Sequence, residues 1–187
     1  SSQESLTDWA STATNTAGEL RLGSGSEIVT AVETRQQILV YTDESLYAMQ
    51  FLGPPFTFGV NLVSENITTM GPLSAVAVED NVFWMGLKEF YVYGGTVQRL
   101  PCSVRDFIFD DFNLLQREKV VAATNTAFSE VWWFYPSASS DNNDRYVVYN
   151  YEQQVWYYGA LARSFWMDRG IFDNPIAAGP NNYLYTQ

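Results

Sequence analysis

Three carboxylates, Asp106, Asp110 and Asp111, lie close together in this sequence and are the first groups that could break a bond. Glycoside hydrolysis needs two carboxyl groups facing each other across a cleft, one of them held neutral. Asp110 and Asp111 are adjacent, so their side chains diverge, and the run reads as a solvated helix or loop face. The run SSDNND, Ser139 to Asp144, alternates oxygen donors of the kind that hold calcium. It lacks the glycine and the terminal acid of an EF-hand, and Ser, Asn and Asp also build hairpin loops. It reads as a long loop that touches a neighbour, with Asp141 and Asp144 as its carboxylates.

Cys102 is the only cysteine, and the chain has no histidine. That removes Ser-His-Asp and Cys-His catalysis and every histidine metal site. Cys102, in RLPCSV, therefore reads as a packed thiol. The run VWWFY, Val131 to Tyr135, offers faces on which sugars stack, but strand alternation assigns one side to the core and the other to contacts between units. Gly53 to Pro55 and Gly71-Pro72 are turns. Asn66-Ile67-Thr68 matches a glycosylation acceptor, which has meaning only in a secreted chain. No catalytic constellation, cofactor site or metal site emerges, and the chain reads as a non-enzyme.

The elements that position these groups follow from composition and spacing. The 187 residues are 47% hydrophobic and 16% aromatic, enough for one core and suited to strands. Net charge is −11, which argues against wrapping a phosphate backbone. A lone cysteine fits a reducing compartment. No apolar run is long enough for a membrane-spanning helix, so no membrane anchor is expected. The chain starts at Ser1 and stops within YLYTQ, which suggests a piece of a longer polypeptide.

Four segments repeat. They open at Thr30, Ala75, Val121 and Ile176 with a short alanine-bearing strand. Each continues through a polar turn into an aromatic strand, and the three complete copies add another strand, SLYAMQF, EFYVYGG and RYVVYNY. The successive spacings, Ile38 to Val82, Val82 to Val131 and Val131 to Tyr183, are 44, 49 and 52 residues, the period of propeller blades. The expected fold is all-β and β-propeller-like. It is a partial propeller of about three to four antiparallel blades, near 28–60, 73–100, 120–160 and an incomplete 176–187. Small-residue strands are expected innermost, with aromatic strands filling the gaps between blades. The rival architecture is an antiparallel sandwich. A short helical insertion is expected near 103–120, with Ser103 as cap and Phe107, Ile108, Phe112 and Leu115 as its apolar stripe. Residues 1–27 read as an arm lying on another surface, with Trp9 as a possible anchor.

Several stretches carry a resemblance: TRQQILVYTDESLYAMQFLGPPFTF, MGPLSAVAVEDNVFWM, FYVYGGTVQRLPCSV, NTAFSEVWWFYPS and DRYVVYNYEQQVWYYGALARSFWMD. Together they resemble the tail nozzle, or tail tubular protein B, of T7-like short-tailed bacteriophages and related prophages. The similarity runs from about Asn15 to the C-terminus. It implies a propeller-bearing structural subunit of the virion tail, assembled in the host cytoplasm. Its partners would be copies of itself and other phage tail proteins, in a ring through which DNA passes without specific binding. Trp9, Trp156 and Trp166 would then be candidate contact anchors. Two rivals remain: a carbohydrate- or receptor-binding propeller on the virion, and a propeller glycosidase.

Overall fold

The computed structural model describes residues 5–12, 14–15, 17–53 and 57–187. It contains four antiparallel sheets in which every strand pairs with the next one in sequence. The first holds β1 (Ile28–Glu33), β2 (Ile38–Thr42), β3 (Ser45–Gly53) and β4 (Thr57–Glu65). The second holds β5 (Ala75–Val78), β6 (Asn81–Met85), β7 (Phe90–Tyr93) and β8 (Val97–Leu100). After a helical insertion, α1 (Arg105–Asp110) and a 3-10 stretch (Leu114–Lys119), the third holds β9 (Val121–Asn125), β10 (Glu130–Tyr135), β11 (Arg145–Asn150) and β12 (Val155–Ala160). The fourth holds β13 (Phe165–Met167), β14 (Ile176–Ala178) and β15 (Leu184–Thr186).

Successive first strands are neighbours: β1 lies beside β5, β5 beside β9, and β9 beside β13. Between the second and third sheets Leu73 and Val121 form a parallel bridge, and the Ala122 N–H donates to the Leu73 carbonyl at 2.7 Å. Four-stranded meanders sharing one inner line of first strands make this chain all-β and β-propeller-like, a partial propeller with a short helical insertion.

The cross-strand register explains the alanines. Ala75 lies opposite Trp84, and Ala122 and Ala123 lie opposite Trp133 and Trp132. A methyl group on the inner strand leaves room where an indole from the next strand must fit. Apolar clusters then fill the gaps between sheets. One joins the first and second sheets through Leu39, Tyr41, Leu46, Val82 and Trp84. The largest joins the second and third, and includes Phe83, Phe90, Val131, Trp133 and Tyr149.

The structure corrects several expectations. Each complete sheet has a fourth strand, β4, β8 or β12, that the repeat did not reveal. The fourth sheet begins at Phe165, ahead of Ile176. Its alanine strand comes second, and Ala177 lies opposite Trp166 of β13, so the alanine–tryptophan pair recurs with its order reversed. Helix α1 is preceded by Val104, with no side-chain cap, instead of being capped by Ser103. Ile108 and Phe112 of the expected stripe are buried, while Phe107, beside Ile108 on α1, is exposed, and so is Leu115, which belongs to the separate 3-10 turn. The turn expected at Gly53 to Pro55 lies partly outside the described residues, at Pro54 and Pro55.

Candidate functional site

Two kinds of feature could carry function: the seams between sheets and the clefts at their turns. The seam between the second and third sheets is built around Trp133, which is fully buried. Its indole N–H donates to the Ser74 carbonyl at 3.0 Å. Phe90 lies 4.9 Å from its ring, and Trp156 stacks on it at 6.0 Å. The helical insertion closes one end. Phe112 stacks on Tyr135 at 5.7 Å, and Arg105 Nε reaches Glu89 at 3.0 Å.

The proposed anchors fare differently. Trp156 is half-buried, and its N–H donates to the Pro101 carbonyl at 2.8 Å, so it fastens the seam while part of it borders a surface pocket. Trp166 is buried, 7% exposed. It donates to the Thr124 carbonyl at 2.9 Å and stacks on Trp132 at 5.4 Å, which holds the fourth sheet to the third. Trp9 is exposed, but its N–H returns to the Leu6 carbonyl at 2.9 Å. The arm to which it belongs is tied to its own first sheet. The Ser24 N–H donates to the Tyr47 hydroxyl at 2.7 Å, and the Ser26 N–H to Asp43 at 2.7 Å.

The loop Ser139 to Asp144 is fastened to the helical insertion, while Ser139, Asp141 and Asn142 stay exposed. Lys119 Nζ donates to the Asp141 carbonyl at 2.5 Å, and Asn143 Nδ2 to the Lys119 carbonyl at 2.6 Å. Asp144 accepts from the Ser137 N–H at 2.7 Å and its hydroxyl at 2.8 Å. These bonds close the loop, and among the described residues no three acidic, cysteine or histidine side chains are gathered where they could hold a metal ion. The other acids are dispersed too. Asp106 bonds Arg105, Asp111 sits 3.6 Å from Arg145, and Asp110 is exposed. VWWFY has an inter-sheet contact on both sides. Val131, Trp133 and Tyr135 face the second sheet and Phe134 faces the fourth, where Trp132 also packs while part of it borders a cleft. Burial pushes the Cys102 thiol up to about 11, which keeps it protonated and unreactive at neutral pH. Asn66 sits exposed at the end of β4 with a positive φ of 57°.

Asp168 is a group the sequence did not single out. Burial works against its ionisation. Hydrogen bonds from the Thr126 and Arg169 N–H groups and the Thr124 hydroxyl outweigh that and hold its carboxyl below the usual value. It thereby clamps β13 to β9, with Thr126 N–H at 2.9 Å and Thr124 Oγ1 at 3.1 Å.

A polar cleft of about 420 Å³ was also missed. It opens where the β1–β2, β5–β6 and β7–β8 turns meet, between the first and second sheets. Gln37, Gln50, Asn81 and Tyr93 line it. One signal was present in the sequence: an antiparallel β2–β3 hairpin sets Gln37 beside Gln50, pairing two amides at one edge.

No protein-family model and no curated protein matches the sequence. Among solved structures, the WD40 domain of Pan2 from Neurospora crassa is similar at 16% identity and a TM-score of 0.47, over 82% of this chain and 44% of that one. The chain thus spans less than half of that structure's length. The propeller description rests on this chain's own strand order and inter-sheet contacts.

Proposed function

We propose that this propeller module is a structural, non-enzymatic subunit of a bacteriophage tail, forming part of the conduit through which DNA is ejected. The observation that carries the reading is where apolar side chains remain uncovered. Apolar clusters fill the seams between sheets, whereas Ile28, Phe51 and Leu52 on the first sheet, and Phe165 and Leu184 on the fourth, are more than half exposed, as are Leu114 and Leu115 of the insertion and Phe128 of the β9–β10 turn. Both flanks of the row of sheets therefore have surface suited to further association, with copies of the chain or with other tail proteins. The resemblance to tail nozzle proteins supplies the identity of those partners and the location, the virion tail.

Electrostatics agree with a passage that DNA does not stick to. Net charge is −11, and among the described residues the inner strands β1, β5, β9 and β13 carry one carboxylate, Glu33. The repelling charge sits on turns and loops, such as Asp43, Glu44, Glu79 and Asp80. Any surface turned towards DNA would then be a turn-bearing end of the sheets. The test is light scattering with negative-stain imaging of the longest natural polypeptide that carries this sequence, followed by mixing with duplex DNA at low salt. Ordered multimers with a central opening and no DNA retardation are expected. A strictly monomeric protein, or one that shifts DNA, would discard the reading.

A further inference from the structure

We propose that the cleft between the first and second sheets is a binding site for a neutral saccharide. It lies within one chain and does not depend on tail assembly. Its walls come from turns that the fold holds rigidly. Thr34 Oγ1 donates to the Gln37 carbonyl at 2.7 Å and accepts from its N–H at 3.2 Å, which fixes the backbone from which the Gln37 side chain projects. Gly94 borders the Asn81 amide, and a Cβ there would lie 2.5 Å from Asn81 Oδ1. A side chain at that position would displace Asn81.

The amides form a directed relay. Gln50 Nε2 donates to Gln37 Oε1 at 2.7 Å. Gln37 Nε2 donates in turn to the Tyr93 hydroxyl at 2.6 Å. Gln37 is thus committed on both sides. Among the described residues the Tyr93 hydroxyl proton has no acceptor and Gln50 Oε1 has no donor. The relay ends in a free donor at Tyr93 and a free acceptor at Gln50, held in position before any ligand arrives, and each glutamine amide keeps a second N–H to donate. Sugar hydroxyls both donate and accept, so a pair of them matches those two ends.

The rest of the lining narrows the class. Gln36 and Asn81 add two more amides. The one carboxylate in the lining, Asp80, stands at an exposed mouth 3.8 Å from Arg35, so its charge is countered there. No phosphate-binding cluster of cations lines the cleft, and an apolar ligand would leave the amides unpaired at a cost. The size falls within the range of small-ligand sites, about 300–1,000 Å³.

The experiment is a titration of the isotope-labelled chain with neutral trisaccharides of glucose, galactose, mannose and N-acetylglucosamine at millimolar concentration. Side-chain amide resonances of Gln37, Gln50 and Asn81 are read by NMR. At least one sugar is expected to move them together, with the Gly94 and Gly95 backbone amides. Tyr93→Phe, which keeps the ring, should weaken that sugar about tenfold by removing the free donor. Gln50→Ala should weaken it similarly, and unchanged melting temperatures would show that both variants fold. No movement with any of the four sugars overturns the proposal. So does binding that both variants leave intact, or movement produced only by a neutral peptide such as tetraglycine.

Discussion

The seam between the second and third sheets and the seam between the third and fourth use the same chemistry at different scale. The former buries fourteen side chains and is bracketed by the helical insertion. The latter buries four and depends on the Trp166 indole and the Asp168 carboxylate to hold it. Rigidity in a propeller is a property of each seam, and a sheet with a thin seam opens on its own while its neighbours stay closed. The inner seam should therefore behave as one cooperative unit and the fourth sheet as a separate, weaker one.

The comparison is broken most forcefully at its strong side. Trp133→Ala should cost about 3–5 kcal/mol, because it leaves a cavity among Phe90 and Trp156 and removes one of the two donors on the Ser74 carbonyl, which keeps the Met85 N–H. Chemical denaturation would measure it, and a loss under about 1 kcal/mol would mean that the seam is not a unit. Trp166→Ala should cost less, about 2 kcal/mol, since a thin seam collapses more readily. Its signature should be local: hydrogen exchange speeds up in β13 to β15 and stays slow in β6 and β7. Uniform acceleration would erase the proposed division.

Acid sharpens the same contrast. The Asp168 carboxyl is held below its ordinary value of 3.8 in the folded chain. Its stabilisation is present above that pH and is lost as pH falls through the depressed folded value. The fourth sheet should loosen there before the inner seam does. Asp168→Asn should remove that step from a pH titration of tryptophan fluorescence, and an unchanged step would reassign it to another group. The smallest effect is expected at the seam between the first and second sheets. Among the described residues the buried Tyr41 hydroxyl has no protein partner, and its ring meets Trp84 edge-on at 5.3 Å. Tyr41→Phe should be neutral or stabilising by about 1 kcal/mol. Marked destabilisation on thermal melting would show that the hydroxyl is paired.

The blade architecture was legible because a short alanine-bearing strand precedes an aromatic one at each repeat, as at Ala75 and Trp84. The same cue misled at the fourth sheet, where the order is reversed and Phe-Trp-Met is too short to announce a strand. The outer strands were silent for a different reason. In β8, Gln98 and Arg99 are exposed, and β4 alternates poorly, so neither carries an apolar period. What the indoles of the candidate contact residues bond to was illegible, because their partners are backbone carbonyls. Pro101 and Thr124 accept the indoles of Trp156 and Trp166, and no side-chain pattern encodes a carbonyl. The amide cleft was half-legible: the hairpin brings Gln37 to Gln50, but Tyr93 arrives from another sheet.

The Leu73–Val121 bridge bears on how the chain is made. Among the described residues every other strand pairing joins neighbours in sequence, so each meander can form as soon as it leaves the ribosome. This bridge spans the whole second sheet and the insertion, and it cannot close until both are synthesised. Docking of the third meander is then the slow, late step of folding, and in pulse-labelling the Ala122 amide should gain protection after those within β6 and β7.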